Sequence, residues 1–324
     1  MHVEEKRSYF KGADSPPLLE ETIGDLFDRV AAEYPHHDAL ISRHQGVRWT
    51  YSEYQQEINR LASGLLALGI EAGDRVGIWS PNRYEWCLTQ FATAKIGAIL
   101  VCINPAYRVF ELEYALNKSG CKAIVSAESF KSSHYLEMLQ RLAPELENCE
   151  PGRLRSEKLP QLEIVIRMGE GNTPGMLNFA AVCEAGGATD RARVEEIQSK
   201  LSPRDVINIQ FTSGTTGNPK GASLTHFNIL NNANQVAAGM RFSASDRLCI
   251  PVPMYHCFGM VLGKLACVTR GATAIFPSDA FEAGAVLETV QAERCTALHG
   301  VPTMFIAELE HPEFDRYDLT SLRT

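Results

Sequence analysis

At 324 residues, with 45% hydrophobic and 22% charged side chains, the chain is too long for one small core and too apolar for general disorder. A formal net charge of −8 excludes a broad nucleic-acid or anionic-membrane surface, which needs clustered Lys and Arg, so any phosphate must be held locally. No apolar run reaches the roughly eighteen residues of a membrane helix, and nine scattered cysteines, never spaced CxxC, suggest neither a zinc site nor a disulfide framework.

The opening "MHVEEKRSYFKGADSPPLLEE" mixes acids with bases and lacks a secretory apolar stretch, and its acids argue against a transit peptide; residues 1–20 read as a tail. A reducing intracellular compartment fits the cysteines. Next come a helix at "IGDLFDRVAAEYP", a hairpin at "DALISRHQGVRWTYSEY" and a second helix to Leu68. From Gly73 onward apolar runs alternate with helix-period segments, the pattern of a parallel sheet covered by helices. "RVGIWS", "ILVCIN" and "KAIVSA" read as strands; "NRYEWCLTQFATAKIGA", "VFELEYALNKSG" closed by Gly120, and "SSHYLEMLQRLA" read as helices. Between Pro144 and Pro203 breakers predominate around one strand, "LEIVIRM", which predicts surface loops. The strand "VINIQF" and the helix "THFNILNNANQVAAGM" follow. Then "RLCIPVP", "GATAIFP" and "CTALHG" read as strands separated by helical segments at 257–270 and 281–294.

Directly after "VINIQF" stands "TSGTTGNPKG", residues 212–221, which packs four hydroxyls, three glycines and one lysine into ten positions. Small residues let successive backbone N–H groups converge on an anion, the hydroxyls add donors, and Lys220 supplies a mobile positive charge. The stretch does not fit the Walker pattern, because Pro219 stands five beyond Gly214 and Gly follows Lys220, so an ordinary P-loop kinase or GTPase is excluded. A surface turn collecting Thr and Gly is the plainer alternative. Farther on, "PVPMYHCFGMVLGKL" (251–265) sets His256 among apolar residues, where a lone imidazole can equally be a satisfied structural group.

"TSGTTGNPKG" resembles the signature of the adenylate-forming superfamily. "GDRVGIWSPNRYEW", "AKIGAILVCINPAY", "ELEYALNKSGCKAIV", "PMYHCFGM" and "HGVPTMF" agree in order and spacing with its acyl-CoA synthetases, most of all the animal mitochondrial medium-chain kind. The likeness runs from about Leu18 to Thr324. It implies an α/β fold of two packed β/α-layered subdomains, residues 73–223 forming the first and 21–72 plus 224–324 part of the second, with 21–324 a partial AMP-binding domain. It also implies a two-step ligase: a carboxylate attacks Mg-ATP to give an acyl-adenylate and pyrophosphate, and the thiol of coenzyme A then displaces AMP. Carried over by position, Thr212, Ser213, Gly214, Thr215, Thr216, Gly217, Asn218, Pro219 and Lys220 would bind the ATP phosphates. Lys220 and His256 would serve the chemistry, and His256, Cys257, Phe258 and Gly300 would meet the acid. ATP, Mg2+ and coenzyme A are the implied cosubstrates; no protein metal ligand is assigned.

The segment from Pro253 to Arg270 contains no Asp or Glu to pair with an α-ammonium group, and its apolar side chains offer ~0.8 kcal/mol per buried substrate methylene. A medium-chain fatty acid is therefore expected over an amino acid, with an aryl acid as a further option. The family segments that hold adenine and ribose, the hinge and the small C-terminal domain with its lysine do not occur here, which reads as a fragment with an incomplete second subdomain and no full activity. A noncatalytic shortened isoform, acting as an interaction or nucleotide-binding module, is the alternative. Self-association through unfinished sheet edges is expected in either case. The resemblance places the protein in mitochondria; without a visible transit peptide, the cytoplasm is the other setting.

Overall fold

The computed structural model describes residues 17–212 and 218–324. Helix α1 (Ile23–Glu33) opens where the Thr22 hydroxyl accepts the Asp25 N–H at 3.1 Å, and α2 (Tyr51–Ala67) opens on Thr50 and Glu53, which cap each other. Between them β1 (Asp38–Ser42) and β2 (Val47–Thr50) form the expected antiparallel hairpin. The alternating region follows as β3 (Arg75–Trp79), α3 (Tyr84–Lys95), β4 (Ile99–Cys102), α4 (Val109–Ser119) and β5 (Cys121–Ser126). Gly120 closes α4 in the left-handed conformation at φ 63°, a geometry that costs glycine little. A two-residue-strand hairpin, β6 (Ser129–Phe130) and β7 (Ser133–His134), precedes α5 (Tyr135–Leu142).

The breaker-rich stretch departs from the expectation of surface loops. Besides β8 (Ile164–Arg167) and β9 (Leu177–Asn178), it contains α6 (Phe179–Ala185) and α7 (Ala188–Gln198), both packed on α2. In α6 the buried side chains are Phe179, Val182 and Cys183, whereas α7 buries Val194 alone and carries no apolar stripe for a periodicity reading to find. The approach of α2 to α6 is close: a methyl on Gly64 would collide with the Val182 carbonyl.

Strand β10 (Val206–Thr212) then returns as an antiparallel partner, β11 (Lys220–Thr225), before α8 (His226–Gly239). The sequence reading passes from the loop straight to the helix. It misses β11 because "KGASLT" is small, polar and exposed, as suits an edge strand. The remainder comprises β12 (Arg247–Cys249), a π-helical segment Phe258–Leu265 running into the short α9 (Ala266–Val268), β13 (Thr273–Phe276), α10 (Ala283–Glu293), β14 (Ala297–Leu298) and α11 (Pro302–Leu309).

Two sheets result. The larger has seven strands in the order β11-β10-β4-β3-β5-β8-β9, parallel except at β11; the smaller has five, β14-β12-β13-β1-β2, parallel except at β2. The early hairpin thus pairs with β13, more than 200 residues later, Leu40 standing opposite Ala274. One continuous apolar core runs through both sheets, and α3 is buried on nearly every face. All nine cysteines are free thiols. No helix among the described residues is long and apolar enough to cross a membrane. The large exposed apolar side chains include Phe305, Ile306 and Leu309, which lie on α11 rather than on a sheet edge.

Candidate active site

In open parallel sheets ligands settle outside the carboxyl ends of the strands. Here those ends converge. Segments following β3, β4, β12 and β13 line a cleft of about 350 Å³ that includes Asn82, Asn104, Lys131, Tyr255 and Asp279. Asn82 is buried and ties one sheet to the other: its Nδ2 donates to the Val252 carbonyl at 3.0 Å and its Oδ1 accepts the Met254 N–H at 2.8 Å. This pair of hydrogen bonds to backbone positions the segment carrying His256. Lys131, at the tip of the β6–β7 hairpin, holds a left-handed φ of 52°.

The hydroxyl-glycine loop leaves and re-enters the larger sheet at an antiparallel pair. Thr212 and Lys220 are Cα partners, and the Thr212 hydroxyl donates to the Lys220 carbonyl at 3.4 Å. Ser213, Gly214, Thr215, Thr216 and Gly217 lie outside the described residues. Thr212, Asn218 and Lys220 are exposed, and the half-buried Pro219 is anchored through its carbonyl, which accepts the Tyr114 hydroxyl of α4 at 3.1 Å.

His256 is exposed at the head of the π-helical segment. Its Nδ1 accepts the Phe258 N–H at 3.0 Å, which places the ring hydrogen on Nε2 and points that donor away from the backbone. Cys257 is half-buried, and burial raises its thiol above the usual range. Phe258 lies 5.0 Å from the His299 ring, centroid to centroid, and this contact joins the 256–258 segment to the β14 end. Next to His299 stands Gly300, where an added Cβ would lie 2.9 Å from the Phe305 ring. The fold thus gathers His256, Cys257, Phe258 and Gly300 in one neighbourhood.

A second junction links this neighbourhood to the loop. The amides of Asn208 and Gln210, on the strand that feeds the loop, each approach the Met260 sulfur at 3.8 Å, one helical step from His256. No hydrogen bond joins Lys220 to His256 among the described residues. Sequence reasoning missed Asn82, His299 and Lys264. His299 is buried with Nδ1 lacking a partner, and burial pushes it down to about 4; only its place beside Gly300 hinted at a role. Among the described residues no group of three or more His, Cys, Asp or Glu side chains is placed to hold a metal ion.

The AMP-binding enzyme family model matches residues 27–324. YngI of Bacillus subtilis (strain 168) is 46% identical over 307 residues, covering 95% of this chain and 56% of YngI. The mitochondrial medium-chain acyl-CoA ligase ACSF2 of Danio rerio is 43% identical over 318 residues, covering 98% of this chain and 52% of ACSF2. A crystal structure of a long-chain-fatty-acid-CoA ligase, FadD1 of Archaeoglobus fulgidus, superposes with a TM-score of 0.77 at 26% identity, over 98% of this chain and 59% of FadD1. The chain spans about half the length of these two sequence relatives. With the family model matched almost from end to end, and the α/β layers arranged as in FadD1, the chain belongs to the AMP-binding enzyme family.

Proposed function

We propose that this chain carries the phosphate loop and the acid-binding wall of an acid–thiol ligase, which forms an acyl-adenylate from ATP and a carboxylic acid and passes the acyl group to coenzyme A. The observation that carries this reading is the junction at Met260, where the strand feeding the loop meets the segment bearing His256. A triphosphate gripped at the loop and a carboxylate oriented by His256 Nε2 would then share one end of the larger sheet. Lys220 neutralises phosphate charge as it shifts toward the leaving pyrophosphate, Thr212 to Asn218 supply donors, and Pro219, which has none, shapes the backbone. Magnesium would ride on the triphosphate oxygens, countering their charge. The cleft beside Asn82, Asn104 and Tyr255 offers the thiol a way in, since Tyr255 adjoins His256.

A medium-chain acid and a mitochondrial setting are supported by the names of relatives such as ACSF2 and by the apolar side chains after His256. Calorimetry with ATP tests the loop on the 324-residue chain. Lys220→Ala is expected to weaken binding about tenfold, as the loss of a charge-assisted bond does. Pyrophosphate release from octanoate and ATP, with the chain joined to the remaining part of ACSF2, tests the reaction. Nucleotide affinity indifferent to Lys220, or no turnover with any acid, would sink the proposal.

A further inference from the structure

Among the described residues two lysines are buried, and their surroundings differ. Lys95 gives its ammonium to Asp28 Oδ1 at 2.6 Å and Asn59 Oδ1 at 2.8 Å. Lys264, only 1% exposed, donates to the Cys87 carbonyl at 3.2 Å and faces the rings of Phe91 and Trp86, with centroids 4.4 and 5.5 Å away. Among the described residues it has no ion-pair partner. A buried cation satisfied by one carbonyl is costly, and burial pushes its ammonium down to about 8.

Lys264 also stands in a row with the candidate acid site. His256, Met260 and Lys264 recur every fourth residue along the π-helical segment and its lead-in, so they share a face. The Met260 N–H donates to the His256 carbonyl at 3.0 Å, keeping the lead-in helical. At the middle position of this row the Met260 thioether is met by Asn208, Gln210 and, at 3.9 Å, the Cys102 thiol; Asn208 Oδ1 has no hydrogen-bond partner among the described residues. These polar groups, not all of them satisfied, surround the most adaptable of apolar side chains. Eight residues of helical rise carry the row on the order of 10 Å, a length that an extended medium-chain acid spans.

We propose that Lys264 determines specificity by receiving the distal carboxylate of a medium-chain α,ω-dicarboxylic acid whose reacting carboxylate lies at His256. Met260 swings aside to admit the chain. A monocarboxylic acid of the same length leaves an apolar methyl against an unpaired cation, whereas the second carboxylate supplies the missing partner. The inference rests on the reading that His256 marks the acid site.

Calorimetry on the 324-residue chain with decanedioate and decanoate tests it, with circular dichroism to verify folding. Decanedioate is expected to bind about tenfold tighter, as a charged hydrogen bond provides. Lys264→Met is expected to erase or reverse that preference, and Met260→Ala to strengthen decanedioate binding by opening the way to Lys264. Equal affinity for the two acids, or a preference unchanged in folded Lys264→Met, overturns the proposal. If Lys264→Met does not fold, Met260→Ala decides: tighter dianion binding supports the proposal and unaltered binding overturns it. Decanoate binding without decanedioate binding overturns this inference alone, whereas failure of both acids to bind overturns the acid-site reading with it.

Discussion

Burial holds His226 and His299 as neutral rings, each pushed down to about 4. The Ile23 N–H donates to His226 Nδ1 at 3.2 Å, a bond that only an unprotonated nitrogen accepts. In the unfolded chain the same rings take up protons near their ordinary value of about 6.5, so the unfolded state binds more protons between about 6.5 and 4. Their contribution to stability is complete above that window and is lost as pH falls through it. The expected loss is on the order of 3 kcal/mol per histidine by pH ~4, the free energy of a shift of two to three units. Urea midpoints at neutral pH and near pH 4.5 measure it. A His299→Gln protein should show a shallower decline, and an identical decline would remove His299 from the account.

At the scale of elements, the site depends on how the 251–257 segment is held. Asn82→Ala would leave the buried Val252 carbonyl and Met254 N–H without partners. It should cost about 2–3 kcal/mol and loosen the approach to His256. Thermal unfolding together with acid affinity tests this: a lowered melting temperature with unaltered affinity would show that Asn82 supports the fold without positioning the site. Elements with a clear period were legible in the sequence. Thus α1 shows an apolar stripe, and β3 to β5 show compact apolar runs. Among those that escaped were α7, whose single buried side chain gives no stripe, and β11, whose exposed polar residues pair through backbone alone. Pairing and docking formed those two, and neither leaves a mark in hydrophobic order.

Across the whole molecule the two sheets share one core, which includes Phe27 and Phe91, Ile78 on β3 and Ala274 on β13. Neither sheet encloses an independent interior of comparable size, so unfolding should be a single transition. Tryptophans report on both sheets: Trp79 lies on β3 and Trp49 on β2. Fluorescence of Trp49→Phe and Trp79→Phe proteins should follow the same urea curve as far-UV circular dichroism. Separate midpoints would show that the sheets unfold as distinct bodies.

By itself the sequence determined the chemistry on offer, because the phosphate-loop composition, the order of family-like segments and the strand-helix alternation are local properties of consecutive residues. The tertiary structure decided which of those residues meet. Met260 touching Asn208 and Gln210, Phe258 against His299, and Lys264 enclosed without a carboxylate arise from contacts between segments about 40 to 180 residues apart. Side-chain burial there follows from how two sheets pack, and no pattern within either segment encodes it.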